Sequence, residues 1–225
     1  MERESAINAL PWPVMAIGAL IVAVELVLSL AQYGLVGGPT GIGWRVEAIQ
    51  RFGFSPAVWE QVALRGNFAP DMLWRFLTYL FVHGSAVQAL FGGAILLALG
   101  KFVGEALGSA RLLALIVVTG LAGAVAFGLF VPGQMPLFGL WPVDYGLIGA
   151  FTYLTWLRLK MTGGNQLTAF RLIGVLLGLQ LVFSLLFGNN PTWVAELGGF
   201  VAGFLLAIPL APGGWSRLIE RVRTR

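Results

Sequence analysis

Six long apolar runs dominate this chain, and they restrict it to a helical fold embedded in a membrane. Hydrophobic residues make up 58% of the 225 residues and charged residues only 11%, unlike a soluble globular domain. A helix of about 20 apolar residues crosses the ~30 Å hydrocarbon core while bonding its own backbone polar groups. We therefore predict an all-α membrane protein with six transmembrane helices, over residues 14–36, 77–99, 109–131, 143–159, 170–188 and 193–210.

Basic residues are distributed unevenly between the two sides that these spans define. With the N-terminus in the cytoplasm, ten of the 14 Lys and Arg residues fall on the cytoplasmic side and four on the other. Because this follows the positive-inside rule, we predict a multi-pass protein with both termini cytoplasmic, placed in a bacterial inner membrane. The basic tail is expected to contact anionic lipid, and no binding to nucleic acid is expected.

A long segment between the first two spans sets the organisation of the chain. We predict a short cytoplasmic N-terminus (1–13), a membrane domain (14–212) and a basic cytoplasmic tail (213–225), with a long first loop at 37–75. Apolar residues recur in this loop at helical spacing, and Ser55-Pro56 is a typical helix start. The loop is therefore expected to form two short amphipathic helices in the outer interface of the membrane.

Five short motifs occur in order on these spans or at their ends. They are Trp74-Arg75, the run 76–83 ending at His83, the stretch 100–109 with Glu105, Tyr145-Gly146, and the stretch 195–199 ending at Gly199, followed by Gly203. In this combination the chain resembles the rhomboid family of intramembrane serine proteases. The resemblance covers about residues 71–210 and implies a six-helix bundle with a membrane-embedded first loop.

The departures from the rhomboid pattern fall at the positions that carry proteolysis. The family has a Gly-x-Ser-Gly motif for the nucleophile and an Ala-His-x-Gly-Gly motif for the base, where this chain has Tyr145 and Glu196. His83 is retained, but Gln88 and Gly92 replace a histidine and an asparagine that support the oxyanion in the family. The resemblance therefore implies a rhomboid-like protein that is not an enzyme.

Another serine could in principle replace the missing nucleophile. Only Ser85 lies near the same end of the bundle, two residues after His83. A serine nucleophile needs a base within hydrogen-bonding reach, and residues at i and i+2 of a helix face different directions. We therefore expect no catalytic residue in this chain.

Four ionisable side chains are expected to converge at the outer face, because each lies at the outer end of its span. They are His83, Asp144, Tyr145 and Glu196. A Tyr145 hydroxyl bonded to Glu196 would satisfy both groups and fill the cleft. A metal site or a proton pathway is the functional alternative, but the ligand spacing typical of metal sites is absent, so we predict no metal and no cofactor. The predicted cavity residues are His83, Gln88, Gly92, Asp144, Tyr145, Gly146 and Glu196.

Glu25 stands apart from this cavity, near the middle of the first span. A carboxyl group at that depth is expected to be either protonated and bonded to a neighbouring helix or in contact with a partner helix. The sequence leaves both interpretations open, and Glu25 is a candidate partner-helix contact.

The resemblance implies a function as well as a fold. Inactive rhomboid-like proteins bind transmembrane segments of other proteins and influence their assembly, stability or degradation, so the expected partners are membrane lipids and transmembrane client proteins. The expected binding surface includes residues 170–187 and the first-loop helices. The alternatives are a structural or assembly subunit of a larger membrane complex and an active rhomboid protease with an altered site.

Overall fold

The computed structural model describes residues 10–187 and 190–214, and these residues are almost entirely helical. The undescribed residues include 1–9 of the predicted N-terminus, 215–225 of the predicted basic tail and residue 188 of the predicted fifth span. Three short 3₁₀ or π-helical turns, Glu60–Leu64, Tyr79–Phe81 and Gln166–Phe170, adjoin the α-helices. The α-helices are α1 (Trp12–Gln32), α2 (Gly38–Gly41), α3 (Trp44–Phe52), α4 (Pro56–Trp59), α5 (Pro70–Leu73), α6 (Arg75–Thr78), α7 (Ala86–Leu107), α8 (Ser109–Phe130), α9 (Trp141–Thr162), α10 (Arg171–Phe187) and α11 (Trp193–Leu210).

Six of these helices are long, and each corresponds to one predicted span. By length and composition, α1, α7, α8 and α11 can each cross a membrane. The 22-residue α9 carries Asp144, Arg158 and Lys160, and α10 is 17 residues long. The all-α membrane fold is therefore confirmed.

The predicted start of the second span at residue 77 is wrong. Residues 75–81 form α6 and a 3₁₀ turn, and the long helix begins only at Ala86. The Ser85 hydroxyl accepts a hydrogen bond from the backbone N–H of Gln88, which caps the new helix start. The apolar run is continuous in sequence, but this cap and the backbone bond from Gly139 N–H to the Tyr79 carbonyl (2.9 Å) interrupt the helix.

The centre of the bundle is a direct backbone contact between α9 and α11. A Cβ added to Gly203 would lie 2.0 Å from the Gly146 carbonyl oxygen, and one added to Gly199 would lie 2.0 Å from the Pro142 carbonyl oxygen. The Cβ of a residue replacing Gly149 would similarly lie 2.2 Å from the Phe200 carbonyl oxygen. Small residues allow this approach, which maximises dispersion contacts where lipid removes the hydrophobic driving force.

The first loop packs onto the bundle through aromatic and polar contacts. As predicted, Ser55 caps α4 with its side chain and Pro56 occupies the first turn. The Trp59 ring covers Gly128 of α8, since a Cβ on that glycine would lie 2.6 Å from the Trp59 Cβ. Arg75 donates to the backbone carbonyls of Asp71 and Gln50, so one side of the Trp-Arg motif fixes the loop to α6.

We expect Gly203→Ala to destabilise the protein, because its methyl group would clash with the rigid backbone of Gly146 rather than with a movable side chain. Overpacking of this kind costs about 1–3 kcal/mol, which a lower melting temperature in detergent would report. Gly18→Ala in α1 is the matched control, since nothing lies within 4 Å of its added Cβ. Equal melting temperatures for the two variants would contradict the backbone contact.

Candidate functional site

Three helix starts place the candidate residues at one end of the bundle. Asp144 and Tyr145 lie in the first turns of α9, Glu196 lies in the first turn of α11, and His83 immediately precedes α7. All four side chains are buried, at 0% exposure for Asp144, 1% for His83 and 6% for Tyr145 and Glu196. Burial of so many ionisable groups at one end of a membrane bundle is costly and marks this region as the candidate site.

The four residues separate into two neighbouring groups. The Tyr145 hydroxyl interacts with the Glu196 carboxyl group, and the Gln180 side-chain amide of α10 donates a hydrogen bond to Glu196 Oε2. Glu196 also interacts with Thr192 before α11. Tyr145 and Glu196 are thus polar partners of one another.

Gln180 is a site residue that the sequence analysis missed. It lies within the apolar run of α10, and a single amide in such a run is the only signal that could have identified it. Gln180 is partly buried, and its hydrogen bond to Glu196 joins α10 to α11.

The second group surrounds Gly92. A Cβ added to Gly92 would lie 3.3 Å from Asp144 Oδ2, 3.4 Å from the Leu140 Cβ and 3.9 Å from His83 Nε2. Within the described residues, neither oxygen of Asp144 and neither nitrogen of His83 forms a hydrogen bond of ordinary geometry. Gly92 therefore faces an acid and a base that are both buried.

Gln88 and Ser85 belong to the local structure before α7. Gln88 Oε1 accepts from the Gly84 N–H at 2.8 Å, and its Nε2 lies 2.7 Å from where a Cβ on Gly139 would be. Gly139 has φ +95°, a backbone conformation that glycine adopts without strain. The expectation that His83 and Ser85 lie on two faces of one helix is wrong, because both precede α7 and the Ser85 hydroxyl caps it.

An ion pair connects the first loop to α1 beside this site. Arg45 of α3 donates from Nη2 to Glu25 Oε1 (2.6 Å) and from Nη1 to Glu25 Oε2 (3.0 Å). Arg45 Nη1 also donates to the His83 backbone carbonyl (2.8 Å), and the Ser29 hydroxyl donates to Glu25 Oε1 (2.7 Å). Glu25 thus has a partner within its own chain, and its contact with a partner helix stays a prediction. Sequence analysis missed Arg45 because its partner lies 20 residues earlier on another helix.

His83 is the one ionisable group of the site that lies outside the spanning helices. Burial lowers its pKa below the ordinary value of 6.5, and Arg45 acts in the same direction. The Glu25 carboxylate and the backbone of Phe81 oppose this shift by favouring the protonated ring. The net result is a neutral imidazole at neutral pH.

Within residues 10–187 and 190–214, no group of three or more His, Cys, Asp or Glu side chains is arranged to hold a metal ion. Of the motif residues, Glu105 is exposed in the last turn of α7 and Trp74 packs near Phe52 at 6.3 Å between ring centroids, whereas Gly203 contacts Gly146 of the predicted cavity.

This fold defines the protein as a membrane helix bundle with a buried polar site at one end. The Rhomboid domain family model matches residues 70–213, more than half of the chain, so the protein belongs to the rhomboid family. It is similar to rhomboid protease GluP of Bacillus subtilis (strain 168), with 28% identity over 156 residues. The matched region is 66% of this chain and 29% of that relative, so the chain spans less than a third of its length.

Breaking the buried Arg45–Glu25 ion pair is expected to lower the stability of the protein strongly. Its side chains are 11% and 12% exposed, so Arg45→Met leaves a buried carboxylate without its cation. Removing one partner of a buried pair costs about 3–5 kcal/mol. We therefore expect a clear fall in the free energy of unfolding for Arg45→Met, with partial recovery in the Arg45→Met/Glu25→Leu double variant.

The chain contains a matched control for that experiment. Arg65 pairs with Glu60 at 2.7 Å, but these side chains are 61% and 50% exposed. An exposed pair contributes about 0–1 kcal/mol, so Arg65→Met should change stability little. Equal losses for Arg45→Met and Arg65→Met would contradict a buried structural role for Arg45.

The lowered pKa of His83 predicts a dependence of stability on pH. The unfolded chain binds a proton near pH 6.5 while the folded chain resists it, so acid favours unfolding. The free energy of unfolding should have its full value above pH 6.5. At lower pH it should decrease, by at most about 1.4 kcal/mol per pH unit. Melting temperatures measured from about pH 7 to pH 5 would show this slope, and His83→Asn should flatten it. A wild-type slope that persists unchanged in His83→Asn would contradict this assignment.

Proposed function

We propose that this protein is a catalytically inactive rhomboid that binds transmembrane segments of other membrane proteins and influences their assembly, stability or degradation. The observation that carries the proposal is the pairing of Tyr145 with Glu196 at the nucleophile and base positions. A tyrosine phenol has a pKa of about 10 even in water, so it offers no nucleophile for acyl transfer near neutral pH.

The described serines support the absence of a catalytic dyad. Ser29 bonds Glu25, while Ser55 and Ser85 cap helices. Ser109 begins α8, at the opposite end of α7 from His83, and His83 is the single histidine of the sequence. A serine hydrolase needs the hydroxyl, its base and an oxyanion site in mutual reach, and these described side chains do not provide them.

The surface of α7 and α10 supports helix binding. Val87, Leu90 and Phe91 of α7 are strongly exposed, and so are Val175 and Leu179 of α10. Gly174 and Gly178 add open positions on α10, since nothing lies within 4 Å of a Cβ added to either. Small residues beside exposed apolar ones favour the close approach of a further transmembrane helix.

The orientation in the membrane is part of the same proposal. Both termini lie in the cytoplasm of a bacterial cell, and the candidate site then lies near the outer face of the inner membrane. The distribution of Lys and Arg supports this orientation, and a bacterial relative supports the location. The basic tail then contacts anionic lipid.

Site-specific photocrosslinking tests the binding surface. A photoreactive residue at Leu90 or Val175 should capture transmembrane segments of several membrane proteins, while one at Val22 of α1 serves as the exposed control, at 66% exposure. A single partner captured in stoichiometric amount would instead indicate a fixed subunit of a complex. Crosslinks at Leu90 and Val175 that do not exceed those at Val22 would contradict the proposed surface.

We expect Tyr145→Ser combined with Glu196→His to restore little cleavage of a transmembrane substrate in proteoliposomes. The double variant supplies a nucleophile and a base, but Gln88 bonds the Gly84 N–H and Gly92 has no side chain, so neither supports an oxyanion. Loss of a single oxyanion donor already costs about 10²–10³ in rate. Addition of Gly92→Asn and Gln88→His should increase any residual cleavage, and efficient cleavage by the double variant alone would contradict this view of the cavity.

Cleavage by the unmodified protein, with a serine labelled by a fluorophosphonate, would favour an active enzyme.

A further inference from the structure

The strongest unassigned feature is the group formed by His83, Asp144 and Gly92. Asp144 is 0% exposed and His83 is 1% exposed, and none of their four polar side-chain atoms has a hydrogen-bond partner of ordinary geometry among the described residues. Buried polar groups are normally hydrogen-bonded, and leaving one unsatisfied costs about 1–3 kcal/mol. Two such groups facing the same point indicate a ligand shared between them.

That point is the space in front of Gly92. An atom at the Cβ position of Gly92 would be 3.3 Å from Asp144 Oδ2 and 3.9 Å from His83 Nε2, with the Leu140 Cβ at 3.4 Å closing the apolar side. A non-bonded oxygen has to lie beyond this Cβ position, at van der Waals distance from the Gly92 Cα, and Asp144 Oδ2 and His83 Nε2 are the polar atoms nearest to that position.

We propose that Asp144, His83 and Gly92 form a binding site for a single buried water molecule, which joins the segment before α7 to the start of α9. The Phe81 backbone lies near the His83 ring and favours a proton on the imidazole. With that proton on Nδ1, Nε2 is the acceptor that faces Gly92. The water donates one hydrogen to His83 Nε2 and the other to Asp144 Oδ2.

Other ligands fit this arrangement less well. A metal ion needs more ligands than one carboxyl group and one imidazole, and the described residues around the site provide no third His, Cys, Asp or Glu. An apolar atom would leave both polar groups unsatisfied, whereas a buried water normally makes two to four hydrogen bonds. The inference does not depend on the proposed function, because it concerns only the side chains enclosed by α7 and α9.

The single histidine allows a direct test. In protein labelled with ¹⁵N-histidine and embedded in nanodiscs of deuterated lipid, every imidazole signal belongs to His83. We expect magnetisation transfer from water to this ring, with Nε2 in the unprotonated form at neutral pH. A folded wild-type protein whose imidazole shows no transfer from water would overturn the proposal without any variant.

Two neighbouring glycines give a matched pair of variants. Gly92→Ala places a methyl group between the Gly92 backbone and the proposed water, 3.3 Å from Asp144 Oδ2, whereas nothing lies within 4 Å of a Cβ added to Gly93. Both changes gain the same intrinsic helix propensity. We expect Gly92→Ala to lose the water transfer and to lower the melting temperature, while Gly93→Ala keeps the transfer and does not lower it.

A third variant separates hydrogen bonding from simple crowding. The Gly92→Ser hydroxyl would occupy the same space and could bond Asp144 or His83, so the melting temperature should recover relative to Gly92→Ala although the water transfer stays lost. Transfer that persists in Gly92→Ala, or a Gly92→Ser variant no more stable than Gly92→Ala, would contradict the water site.

Discussion

The fold depends on the backbone contact between α9 and α11. Gly146 and Gly203 approach so closely that a single methyl group would overlap a carbonyl oxygen, and Gly199 repeats this contact one turn earlier. Association of helices in lipid relies on such packing, since burial from water supplies no driving force there. Tyr145 adjoins the first of these glycines, and Glu196 precedes Gly199 by less than one turn, so the contact also brings these two side chains together.

Polar interactions then fix the segments that packing alone leaves loose. Arg45 bonds both oxygens of Glu25 and the His83 carbonyl, which holds the first loop, α1 and the segment before α7 in one arrangement. Gln180 provides the corresponding bond between α10 and α11. Since few polar groups compete in an apolar surrounding, each such bond specifies one geometry of the neighbouring helices.

The sequence predicts those parts of the structure that depend on local pattern. Apolar length identified the six long helices, and Ser55-Pro56 identified the start of α4, because both signals are contained within a few neighbouring residues. The second span was placed nine residues too early, since hydropathy does not register the cap at Ser85. Arg45 and Gln180 were missed because each acquires its role from a residue distant in sequence.

The residues that pack the bundle are largely distinct from those that form the candidate site. The close backbone contacts of the bundle use Gly146, Gly199 and Gly203, which match the rhomboid motifs, while Tyr145 and Glu196, which depart from those motifs, are buried polar side chains. Each departure leaves polar groups that need new partners in a region without bulk water. Glu196 acquires Tyr145 and Gln180, whereas His83 and Asp144 face the space left by Gly92. The packing contacts that hold the bundle together therefore leave these buried polar groups together at one end of it.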